Sequence, residues 1–276
     1  MGRWVWLAAG AALTFGAAAT ARAAVPDPNI TVFLNAAVGQ NPQDQSAQDA
    51  QNHLITGVAA NTPTTFSASA ALGGGTAASS ATVSLGTLHA LQTSDYALDG
   101  TNSDAQGSVD IFVNDFGLAQ TTQLDGFLDL AGSLSPTIDD SFAGATATFV
   151  IDDLTTAQLV RMDFDSTRPQ DNKFTNSLNV NVGDLIQLAY DLRIFANQGA
   201  QAESEGAFAD FSHTMHVYVG EAGQGPDFIS GTGHDYARTA GVPEPGGWAL
   251  MLLGFAALGG LARRRKAAAP APLTTI

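Results

Sequence analysis

From Ile30 to Tyr236 the apolar residues of this chain recur at every second position, in short runs separated by turn residues. The clearest run is Gly107 to Phe116, where Val109, Ile111 and Val113 fall on one side of an extended backbone and Ser108, Asp110 and Phe112 on the other. A period of two is the mark of a strand with one buried face, and no stretch shows the 3.6-residue period of a long amphipathic helix. Further candidates are Ile30–Leu34, Thr64–Ala70, Ala81–Leu91, Gln123–Leu130, Ala145–Ile151, Leu178 onward, Leu185–Phe195 and Phe208–Val219, with a short final element in Ile229–Tyr236. Ala81–Leu91 reads as one strand with a bulge at Gly86. Leu159–Phe164 reads equally as strand or short helix. Residues 39–53 and 168–176 read as polar loops, the first with room for one helical turn, and Asp99-Gly100 and Asn102 mark a turn. Nine or ten strands spaced this way predict an all-β fold, an antiparallel β-sandwich of jelly-roll-like form. No repeat of fixed period points to a propeller or solenoid.

The chain has no cysteine, so such a sandwich must be held by its core alone, and residues 24–240 are enough for one. Thiol catalysis, iron–sulfur clusters and cysteine-based zinc sites are excluded by the same count. Within that segment five basic residues (Arg161, Arg168, Lys173, Arg193, Arg238) face 25 of the chain's 26 acidic ones, a net charge of −20 against −15 for the whole chain. So acidic a surface repels nucleic-acid phosphate and anionic lipid, favours solubility, and suits divalent cations.

Both ends differ from the middle. Met1-Gly2-Arg3 is a basic start, Trp4 to Thr20 is apolar, and Ala21-Arg22-Ala23 offers the small-x-small pattern of a signal peptidase site. A signal peptide cut after Ala23 is expected, with an uncleaved anchor as the alternative. At the other end, Val242-Pro243-Glu244-Pro245 is a stretch that neither extends a sheet nor continues a helix. An apolar run led by Trp248 follows, then Arg263-Arg264-Arg265-Lys266, then a tail at 267–276. Gly246 to Ala262 is 17 residues, at the short end of the roughly 17–25 that cross a bilayer. The basic cluster would stay cytoplasmic by the positive-inside rule; a buried core helix is the competing reading, and the three arginines weigh against it.

Val242, Pro243, Glu244, Pro245, Trp248, Leu253-Gly254-Phe255, Leu258-Gly259 and Arg263, Arg264, Arg265 together resemble the PEP-CTERM sorting signal of Gram-negative bacteria, also known as the VPEP motif or the ice-binding protein C-terminal domain. The resemblance spans 241–266, with only the ten residues after Lys266 departing from many members. It implies handling by an exosortase, after signal peptidase, with the C-terminal helix in the inner membrane first and the cell surface or extracellular matrix as destination, among exopolysaccharide. The segment from Asp210 to Tyr236 also looks like the closing hairpin of proteins that bear this tail.

Chemistry is harder to find. On a strand His213 and His216 fall on opposite faces, so they cannot share a zinc without a bulge, and His53, His89 and His234 stand apart. There is no Gly-x-Ser-x-Gly elbow, and Gly73-Gly74-Gly75 lacks the Lys-Ser/Thr of a phosphate loop. Carboxylate pairs abound, too many to single out a glycosidase couple. Asp163-x-Asp165 with Asp171 and Asn172 loosely resembles a calcium ligand set, without the glycine and closing glutamate of an EF-hand loop. The expectation is a protein that is not an enzyme and needs no cofactor, calcium apart, with a structural or adhesive role. The alternatives are a carbohydrate- or calcium-binding module, with Tyr190, Tyr218 or Phe208 stacking on sugar, and a secreted hydrolase.

Overall fold

The computed structural model describes residues 24–41, 45–95, 102–135, 137, 141–168, 172–199, 206–220 and 227–237. The predicted signal peptide, the Asp99-Gly100 turn, Asp171 and the whole of 241–276 lie outside the described residues. Among those described, no helix is long and apolar enough to cross a membrane.

Thirteen strands are described: β1 Asn29–Asn41, β2 Gln45–Thr56, β3 Thr64–Leu72, β4 Gly75–Ser84, β5 Thr87–Asp95, β6 Asn102–Ala119, β7 Gln123–Leu134, β8 Ser141–Asp153, β9 Gln158–Asp165, β10 Lys173–Asn179, β11 Leu185–Gln198, β12 Ala207–Val219 and β13 Phe228–Ser230. One sheet runs β2-β1-β6-β11-β8-β9, with β13 paired to β6; the other runs β10-β7-β12-β5-β4-β3. Every pairing is antiparallel. Strands β5 to β12 wind as a jelly roll, β5-β12-β7-β10 facing β6-β11-β8-β9. The β1–β2 hairpin widens the first sheet and the β3–β4 hairpin widens the second.

Alternation supplies the core. Val32, Leu34, Val109, Ile111, Phe149, Ile151, Ile186 and Leu188 of the first sheet meet Val83, Leu88, Leu124, Leu128, Met215 and Val217 of the second in one buried cluster. Each fully buried aliphatic side chain there is worth about 1.5–3 kcal/mol over exposure. Aromatic pairs close both long edges. His53 of β2 stacks on Phe66 of β3 at 4.1 Å, and Phe164 of β9 meets Phe174 of β10 edge-on at 6.4 Å. Edge strands that would otherwise offer open ladders to another chain are thereby drawn together in pairs.

Three readings need correction, and one left open is resolved. Residues 39–53 are not a loop: most form the end of β1 and the start of β2, hidden from a hydropathy reading because the first nine residues of this edge strand are Gln, Ser, Ala, Asp, Asn and His, with only Ala47 of them packed against the core. Ala81–Leu91 is not one strand with a bulge; Leu85-Gly86 is a tight turn between β4 and β5, with Gly86 at φ 73°. A register break lies instead in β12, between Phe211 and Met215. The stretch from Lys173, read as loop, is the polar edge strand β10, and Leu159–Phe164 is strand.

Candidate functional site

The most elaborate polar site joins the end of the folded domain to its core. β6 carries Val109, Ile111, Val113 and then Asp115 on its inward face, so the same parity that buries three aliphatics buries a carboxylate; Asp115 is 0% exposed. It is fully partnered. The hydroxyl of Tyr236 donates to Oδ2 at 3.0 Å, the amide of Phe116 donates to Oδ1 at 2.8 Å, and Ser230 supplies a further hydrogen bond. Tyr190 of β11 comes within 3.3 Å of the Tyr236 hydroxyl and accepts a 2.6 Å hydrogen bond from the amide of Gly86. His234 packs edge-on to Tyr236 at 4.5 Å. A Cβ at position 86 would stand 2.9 Å from the His234 Nε2, so the turn needs glycine for its φ and for the space.

Burial pushes the Asp115 carboxyl above its ordinary value, and the Ser230, Phe116 and Tyr236 hydrogen bonds pull it part of the way back. The phenols of Tyr190 and Tyr236 are raised by the same cause, so both remain protonated donors. Burial holds the His234 imidazole below its usual range, against the pull of Asp115 and Asp235. The arrangement fastens rather than reacts. β13 adds to β6, and the Val219 amide donates to the Tyr236 carbonyl at 2.9 Å, so 228–236 is held down by backbone and side chains together.

The sequence candidates scatter. Tyr190 is core, which removes it as a sugar platform. Tyr218 is half-buried on the outer face of the second sheet, with its ring against His216 at 5.6 Å, and Phe208 is exposed. Asp163 and Asp165 share a face of β9, each engaged: Asp163 with Arg161 at 2.7 Å and Thr148 at 3.2 Å, Asp165 with the amide and hydroxyl of Thr167. Among the described residues no group of three His, Asp or Glu could hold a metal ion. His216 sits 3.4 Å from the Thr87 hydroxyl; the side chain of His213 lies outside the described ones. Asp115, Tyr190 and Tyr236 were missed as a unit. The legible clue was a carboxylate at an inward position of the most regular strand.

Fold and site define an all-β, two-sheet sandwich whose last element is pinned to its core just before a tripartite tail. Residues 241–266 of that tail match the family model of the PEP-CTERM protein-sorting motif, and the motif marks an exported protein held in the membrane before processing. No curated protein matches the chain. Among solved structures, it is similar to TmCBM61 in complex with β-1,4-galactotriose, at 9% identity over 45% of this chain and 74% of that one, with a TM-score of 0.20. It is also similar to a structure from work on the promiscuous specificity of carbohydrate-binding modules of the β-sandwich superfamily, at 7% identity over 72% and 94%, again with a TM-score of 0.20. At that score neither likeness bears on function.

Proposed function

We propose that this is a non-catalytic protein of the cell surface or extracellular matrix, delivered by an exosortase and serving a structural or adhesive role among exopolysaccharide. The observation that carries the reading is the sorting motif at 241–266. The closing lock suits that delivery. The folded domain is fastened as far as Tyr236, and the motif begins five residues later. At full extension, at about 3.5 Å per residue, Pro243 lies no more than about 25 Å from Tyr236. The processing enzyme would therefore meet its recognition sequence on a short leader beside a domain that does not unravel when the leader is pulled. Signal peptidase would remove residues 1–23, and the span at 246–262 would hold the protein in the inner membrane until the tail is handled.

The test is intact mass of the protein from envelope and medium of its host. Loss of 1–23 and of residues from about Val242 onward is expected, and replacing Pro243-Glu244-Pro245 by three alanines should leave a full-length, membrane-retained form. Normal release of that variant would refute the assignment of the motif.

A further inference from the structure

We infer that the outer face of the β2-β1-β6-β11-β8-β9 sheet carries a binding site for a neutral polysaccharide, centred on Phe195; this rests on the matrix destination proposed above. The sheet register brings the parts together. Asn35 of β1 stands opposite Ser108 of β6, which stands opposite Phe195 of β11; one step along, Gln106 stands opposite Asn197, and Asn197 opposite Phe142 of β8. These six side chains line a shallow depression of about 240 Å³.

Two features make it a built surface rather than a patch of exposed residues. First, Phe195 faces Gly144 across the ladder, and its ring tip fills the space a Cβ at 144 would take. The ring is thus laid over the neighbouring strand, and Phe142, 43% exposed, meets it edge-on at 5.9 Å. The two rings give the depression an apolar wall fixed before any ligand arrives. Second, the floor is braced from inside. Ser79, Gln92 and Ser94 of the opposite sheet are buried at 1% exposure or less. Ser79 donates to the Asn35 carbonyl at 2.6 Å and Ser94 to the Ala196 carbonyl at 3.1 Å, while Ser79 also bonds Gln92, whose amide occupies the space beneath Gly107. A polar seam through an otherwise aliphatic core costs stability unless each group is paired, and this one is spent holding the backbone under the depression.

The chemistry selects the ligand. A ring wall offers contact to the C–H face of a pyranose, and Asn35, Gln106, Asn197 and Ser108 offer donors and acceptors of both kinds to its hydroxyls. Gln48 Nε2 donates to the side-chain Oδ1 of Asn35 at 2.9 Å and sets that amide's orientation. None of the six is charged, and the adjoining Asp110 is paired with Arg193 at 2.9 Å. A domain of net charge −20 repels an anionic chain. Farther along the same face Phe33, 41% exposed, meets Phe112 edge-on at 6.2 Å. Phe112 lies opposite Asp191, four residues from Phe195 on β11, hence about 13 Å along the strand direction. A second ring pair at that spacing suits a chain of sugars rather than a single unit.

The experiment is affinity electrophoresis of the full chain in detergent through gels containing hydroxyethyl cellulose, galactan or alginate. Retardation is expected in at least one neutral gel and not in alginate. Phe195→Ala should weaken it by roughly tenfold or more. Because that variant uncovers Gly144, the pair Phe142→Ser and Gln106→Ala, both at exposed positions, is run beside it, with melting temperature as the folding control; it should weaken retardation while melting as wild type does. Free migration in both neutral gels, retardation in alginate alone, or a double variant that binds unchanged would overturn the inference. None of these readouts depends on processing, so a failure of delivery by the sorting tail appears separately, in the intact-mass measurement.

Discussion

At the scale of single residues, the buried Asp115 governs more than its neighbours. Removing the Tyr236 hydroxyl by Tyr236→Phe leaves a buried carboxylate short of a donor, and an unsatisfied buried group of this kind costs about 1–3 kcal/mol. Thermal unfolding of the variant should show a loss of that size. The acid–base consequence has a definite sign. Burial raises the Asp115 pKa from its ordinary 3.8, so the folded chain keeps this proton to higher pH than the unfolded chain does. The stability it lends is complete below the unfolded value and is lost as pH rises through the folded one. His234, Tyr236, Tyr190 and Ser230 face the carboxyl; neither phenol titrates in that acid window, and because burial moves the His234 imidazole down from its ordinary range toward it, the comparison is repeated in a His234→Gln background. Asp115→Asn should remove this component, so its melting temperature relative to wild type climbs as pH rises above about 4. A constant difference across that range would show that Asp115 does not titrate there.

At the scale of elements, the turns decide where strands end. Gly73 and Gly74 join β3 to β4 with φ of 57° and 87°, a two-residue connection with both central residues at positive φ, the geometry that matches strand twist in a hairpin. Gly74→Val forces a β-branched residue into that region and should cost about 1–3 kcal/mol in denaturant titration. Gly73→Asn, a residue suited to the first position of such a turn, should be near neutral. The contrast separates backbone strain from any general sensitivity of an edge hairpin. The same physics explains the misread Gly86. A glycine in an alternating run signals either a bulge or a reversal, and only the partner strands tell which.

At the scale of the molecule, charge is the dominant global term. With a net −20 on residues 24–240 and few described ion pairs (Arg161–Asp163, Arg168–Asp165 and Arg193–Asp110, all at the surface), the compact state repels itself. Raising ionic strength from about 0.01 to about 0.15 M shortens the screening length from about 30 to about 8 Å. The melting temperature should therefore rise with salt, by the same increment in sodium and potassium chloride. An increment specific to calcium chloride would instead favour the divalent-cation reading of the acidic surface.

Strand content, the antiparallel sandwich and the sorting tail were all legible in the residues. Period-two alternation in runs such as Val109-Asp110-Ile111-Phe112-Val113 has one physical cause, a half-buried extended backbone. Proline, apolar run and arginine cluster are local too, each acting through its own residues. What needed the tertiary structure was everything set by partners distant in sequence. β2 and β10 are strands because a neighbouring ladder makes them so, whatever their polarity. Tyr190 proved to be core because the Gly86 amide, 104 positions away, waits for its hydroxyl. Phe195 turned outward over Gly144, and Asp115 met Tyr236 across 121 residues. Side-chain parity tells which residues share a face; which face meets the core, and what lies across from it, is decided only when the two sheets close on each other.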